Sequence, residues 1–163
     1  MSTLLFVVLR LLPAPQPDSD SWRWNLPAWS RSGVDGAQAQ KRLKLSNRLN
    51  PYYLQGDFNG DGKLDLAVLV RGEKDGKEGI LVVFRGVPGF RILGAGSPLG
   101  SHGDDFSWMD VWSVYSRGTV ERGAVEEAPP RLRGDALLVE KSESASAILY
   151  WDGKTFRWYQ QGD

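Results

Sequence analysis

Apolar residues fall into short runs separated by Gly, Pro, Asp and Asn along most of the chain. Leu64 to Val70 is one dense run, followed by the turn signal Lys74-Asp75-Gly76-Lys77. Ile80 to Phe84 is the next run, and Phe90 to Leu93 is a shorter one. An Asp-Gly pair between two such runs predicts a hairpin. The pattern repeats near the C-terminus. Ala136 to Val139, Ala145 to Trp151 and Thr155 to Tyr159 are separated by Glu140–Ser144 and by Asp152-Gly153-Lys154. These last runs are apolar at both parities, which predicts cover on both faces, with a helix on one side. Asp105 to Tyr115 carries Phe106, Trp108, Met109, Val111, Trp112, Val114 and Tyr115. It fits neither period cleanly, so strand and helix both stay open. Arg117 to Arg133 is charged and contains Pro129-Pro130, and reads as a long surface loop.

One stretch reads as a helix, Asp35 to Leu49. Asp35 can cap it, with Gln38 three residues on as in a capping box. Ala39, Leu43, Leu45 and Leu49 supply an apolar stripe. Asn50-Pro51 ends it, because proline disfavours helical geometry in the residue before it. A helix followed by consecutive hairpins predicts an α+β fold, with an N-terminal helix packed on a mainly antiparallel β-meander. The alternative is an all-β sandwich or partial barrel.

The ends divide the chain. Leu4 to Leu12 resembles the apolar core of a secretory signal peptide, although no Lys or Arg precedes it and Arg10 interrupts it. A first β-strand is the competing reading. The run is shorter than the roughly 20 apolar residues a membrane span needs, so no integral span is expected. Pro13 to Asp20 reads as linker. Residues 1–21 are thus expected to be leader and linker, and residues 22–163 a single β-rich domain. The leader implies a periplasmic or secreted protein.

Composition narrows the classes. At 163 residues, 41% of them hydrophobic, one core suffices; a domain of this size buries about 68–70% of its unfolded surface. Lys plus Arg and Asp plus Glu number 20 each. That balance argues against a nucleic-acid groove or a polybasic membrane surface. The absence of cysteine excludes disulfides, thiolate zinc sites, a cysteine nucleophile and thioether lipidation. The seven tryptophans are either core anchors or stacking platforms for sugars or peptides.

The chemistry-bearing stretch is Asp57-Phe58-Asn59-Gly60-Asp61-Gly62-Lys63-Leu64-Asp65. Side-chain oxygens stand at positions one, three, five and nine. Gly62 permits a sharp turn at position six, and Lys63 at seven can offer its carbonyl while its side chain points away. A hard cation takes six to eight oxygens at about 2.3–2.6 Å, and alternate residues of a tight loop can supply them. Position twelve, Val68, is not the bidentate Glu of an EF-hand, and a strand-like run follows instead of a helix.

Gly56 to Val68 therefore resembles the calcium loop of FG-GAP and VCBS repeats, which build integrin-type β-propeller blades and occur in secreted bacterial proteins. The resemblance implies Ca2+, held by the side chains of Asp57, Asn59, Asp61 and Asp65 and by the carbonyl of Lys63. It covers about a dozen residues and occurs once. A propeller needs several four-stranded blades, so the loop is carried over and the propeller is not. The competing readings are an Asp/Asn/Gly turn that binds nothing and a weak site filled only at extracellular calcium.

Other signals are sparse. His102, the one histidine, sits near Asp104 and Asp105 and could be a base or a ligand, but an exposed loop residue is the ordinary reading. No histidine pair, Gly-x-Ser-x-Gly elbow or phosphate-binding glycine pattern is present. Asp104, Asp105, Asp110, Glu121, Glu126, Glu127, Glu140 and Glu143 are candidate acids, but a glycosidase needs two about 5–10 Å apart across a cleft. The leading functional expectation is a non-catalytic, calcium-stabilised binding or interaction module of an exported bacterial protein, with a protein or glycan ligand and no nucleic acid. A small envelope enzyme acting on glycans through paired carboxylates is the alternative. A cytoplasmic domain with an empty loop is a third reading.

Overall fold

The computed structural model describes residues 21–123 and 125–162. The predicted leader run and linker, residues 1–20, lie outside the described residues. Among the described residues, one α-helix and nine strands build two antiparallel sheets. The helix is α1 (Arg31–Lys41). The first sheet contains β1 (Leu43–Leu45), β2 (Tyr53–Gly56), β3 (Asp65–Gly72), β4 (Glu78–Val83) and β5 (Arg91–Gly94). Its order is β1-β3-β4-β5, and β2 also pairs with β3. The registers place β1 opposite residues 70–72 and β2 opposite residues 65–68, so the two lie end to end along one edge of β3. The second sheet is a plain meander of β6 (Val111–Tyr115), β7 (Ala136–Lys141), β8 (Ala145–Trp151) and β9 (Phe156–Gly162).

The α+β expectation and its sandwich alternative are both realised, in successive layers. Ala67, Leu69, Ile80 and Val82 on one face of the first sheet meet Trp112, Leu137, Val139, Ala147 and Leu149 of the second. Residues of the opposite parity, Leu66, Val68, Val70, Leu81 and Val83, pack against Val34 and Ala37 of α1 and against Leu26. The outer face of the second sheet, with Ala136, Ile148 and Tyr159, is covered by Val120, Val125 and Leu132 of the long loop. Two-sided burial explains why these strands read as continuous apolar runs and not as alternating ones. The helix covers the first sheet, not the C-terminal one.

Two boundaries differ from the sequence reading. The helix begins at Arg31 and ends at Lys41, not at Leu49. Arg42 takes a left-handed φ of 52° and its N–H returns to the Gln38 carbonyl, closing the helix. Leu43 and Leu45 then bury on one face with exposed Lys44 on the other, so the apparent stripe was partly the period of a strand. Asp35 is not the cap; it lies within the helix and pairs with Arg23, whose hydrogen bonds hold its carboxyl below the usual range. Of Asp105 to Tyr115, only Val111 onward is strand. Among the described residues no helix is long and apolar enough to cross a membrane.

Candidate cation loop

The loop is the hairpin connection between β2 and β3, closed by the Gly56–Asp65 pair. Phe58 anchors it, fully buried in the core between the sheets. Gly60 and Gly62 take φ of 80° and 83°, a region that glycine enters without Cβ strain. The polar side chains of the motif then organise the backbone around themselves. Asp57 Oδ1 accepts the N–H groups of Gly60 (2.8 Å) and Asp61 (2.9 Å), and its Oδ2 accepts that of Gly62 (3.0 Å). Asn59 Oδ1 accepts from Asp61 N–H at 2.9 Å, and Asp61 Oδ1 from Lys63 N–H at 2.9 Å. Lys63 does not point away: its ammonium folds back to 3.3 Å from Asp61 Oδ2.

Asp65 differs from its partners. It is fully buried, while Asp57, Asn59 and Asp61 lie at or near the surface. Its oxygens accept only backbone N–H groups, from Arg85 at 2.8 Å and Asn59 at 3.3 Å. Burial pushes its carboxyl up to about 6, those backbone donors pull part of the way back, and the charge of Asp61 adds to the rise. The donor set is all hard oxygen, which suits a calcium-class cation and not zinc or copper. Among the described residues, no three His, Cys, Asp or Glu side chains gather into a metal-holding group. A cation here would therefore also draw on the Asn59 amide and the Lys63 carbonyl.

A second segment clasps the loop from the other sheet. Asp135 N–H donates to the Asp57 carbonyl at 2.7 Å, and Asp57 N–H donates to Asp135 Oδ2 at 2.9 Å. Asp135 Oδ1 accepts the Arg117 N–H at 2.9 Å. A Cβ on Gly134 would stand 2.0 Å from the Asp57 carbonyl oxygen, so only glycine allows this approach. A Cβ on Gly60 would stand 2.6 Å from the Arg133 carbonyl oxygen. Arg133-Gly134-Asp135 is thus a part of the site that sequence reasoning missed. Its one visible signal is a Gly-Asp pair just before a strand.

The other candidates are placed apart from this loop. Asp104 pairs with Lys77 at 2.6 Å, and Asp105 accepts the Glu78 N–H at 3.0 Å. Asp110 accepts from Ser142 N–H at 2.8 Å and from Lys141 at 3.1 Å. These three acids hold turns. His102 is exposed and stacks on Trp158, ring centroids 4.5 Å apart and planes within 9°. Trp151 packs separately, on Phe84 and Phe156. Compared with protein families, with curated proteins and with solved structures, the chain matches none.

Proposed function

We propose that the protein is a non-catalytic, calcium-stabilised interaction module, with an FG-GAP/VCBS-type loop, of an exported bacterial protein. The observation that carries the reading is Asp65. A carboxylate buried without a cationic partner is costly, and this one closes a loop whose other polar side chains are Asp57, Asn59 and Asp61. A hard cation held by these oxygens would offset that cost and the repulsion between Asp61 and Asp65. It would also pin the start of β3, the central strand of its sheet. Export rests on the leader-like run of residues 4–12.

The alternative, an envelope enzyme with paired carboxylates, draws less support. The groove that holds His102 and Trp158 contains one acid, Glu127. Two other grooves each contain two acids, Asp35 with Glu73 and Glu140 with Glu143, but Asp35 is tied to Arg23 and one acid of each pair, Glu73 or Glu143, is exposed to solvent.

Calorimetric melting in calcium, magnesium and chelator tests the calcium reading. Sites of this open kind bind at about 10⁻⁴–10⁻³ M. Calcium at 100-fold over Kd should then add about 2.7 kcal/mol. Magnesium should do less, because it keeps its waters and demands a tighter octahedron. Asp61→Ala should remove the response and still fold. Identical wild-type melts in chelator and in saturating calcium, with no binding heat, would reduce the loop to a turn.

A further inference from the structure

We propose that the groove between the 99–102 loop and β9 binds a pyranose unit of a carbohydrate, with the stacked His102 and Trp158 rings as its platform. This names the ligand class of the module proposed above and rests on that reading for its role. The groove has a volume of about 300 Å³, at the small end of ligand sites at roughly 300–1,000 Å³. Ser101, His102, Glu127, Tyr150, Arg157 and Trp158 line it.

The rings are held firmly. Trp158 donates its indole N–H to Gln160 Oε1 at 2.9 Å. Trp108 and Phe106 meet its ring edge-on, with centroids at 5.9 and 6.4 Å. His102 lies flat against the indole, so its opposite face is the one turned outward, and the residue is exposed. Partial burial lowers its pKa, so near pH 7 the ring is neutral, with one donor and one acceptor nitrogen. An aromatic face carries partial negative charge, which suits the weakly positive C–H face of a sugar ring.

The polar rim fits hydroxyl groups better than it fits ions. Ser101 and Tyr150 offer hydroxyls that donate and accept, Glu127 only accepts, and Arg157 only donates. Arg157 is oriented by its Nε bond to Asp152 Oδ2 at 2.7 Å, which leaves its Nη groups for a ligand. Sugar hydroxyls both donate and accept, so they can use every one of these partners. A phosphate or polyanion would meet Glu127 beside an Arg157 whose charge is already paired with Asp152, so the groove offers it no excess of positive charge.

The lone histidine gives a clean readout. Its imidazole signals are followed by NMR on the whole protein while tetrasaccharides of glucose (α- and β-linked), galactose and N-acetylglucosamine are added, each to about 10 mM, a limit that captures even a weak Kd of about 1 mM. Every titration is run in calcium and in chelator. At least one sugar should shift the His102 signals saturably. His102→Ala, at an exposed position, should fold and weaken binding tenfold or more, measured calorimetrically; Trp24→Ala, at an exposed tryptophan elsewhere, should leave it unchanged. Absence of a saturable shift with all four sugars in both buffers overturns the proposal, as does wild-type affinity in His102→Ala. Sugar binding that is equal in calcium and chelator, with no calcium effect on melting, supports the groove and tells against the loop reading alone.

Discussion

Glycines at the candidate cation loop separate two physical constraints. Gly62 has a positive φ of 83° but open space where a Cβ would stand. Gly62→Ala should therefore cost only the left-handed strain, about 1–2 kcal/mol. Gly134 would bring a Cβ to 2.0 Å from a backbone oxygen, with no flexible side chain to yield. Gly134→Ala should destabilise more, because the clasp on Asp57 must open. Urea denaturation of both variants checks the order, and an equal loss would mean that the clasp has slack. The residues of the loop were legible in the sequence because oxygen side chains at alternate positions around glycine form a local pattern. The clasp was not, because Asp135 meets Asp57 across 78 positions and neither residue's neighbours announce the other. The Lys63 ammonium was misjudged for a related reason. The expectation for its carbonyl rests on spacing, whereas its side chain answers to the nearest negative charge, Asp61.

Hairpin turns carry their own acid sensitivity. Asp110 holds the β7–β8 turn and Asp152 the β8–β9 turn, and both carboxyls are depressed to about 2. For Asp110 the main cause is the Ser142 N–H; for Asp152 it is the Thr155 N–H, followed by Arg157. An aspartate lowered on folding contributes stability above its unfolded value, about 3.9, and loses it as pH falls through the folded value. Wild type should thus lose stability between about pH 4 and pH 2. The double variant Asp110→Asn, Asp152→Asn should show a shallower slope there in acid titrations of chemical stability. Equal slopes would assign the acid sensitivity to other carboxyls. These turns were legible because Asp-Gly and Glu-Lys-Ser segments break long apolar runs. The short strands β1 and β2 were not. Three or four residues give too few periods to distinguish, and pairing with β3 decides their state.

At the scale of the molecule, the two sheets share one core and are joined at the Asp57–Asp65 loop by Asp135. Its carboxylate takes two backbone N–H groups, one from Asp57 at the end of β2 and one from Arg117 after β6. Asp135→Ala leaves both donors without this acceptor and should cost about 1–3 kcal/mol. It should also reduce any calcium response, since the loop loses its backing. A denaturation midpoint unchanged from wild type would mean that water replaces the carboxylate. The layered arrangement has a further consequence, for the route by which the chain folds. Every strand pairs inside its own half: residues 43–94 make one sheet and residues 111–162 the other. Hairpins close cheaply because their ends are near in sequence, whereas the interface between sheets brings distant positions together late. Each sheet should therefore take shape before the two dock. Ile148→Val, opposite Leu138 within the second sheet, should chiefly slow refolding. Leu69→Ala, at the face where the sheets meet, should chiefly speed unfolding. The reverse pattern in stopped-flow kinetics would mean that collapse between the halves comes first and templates the strands.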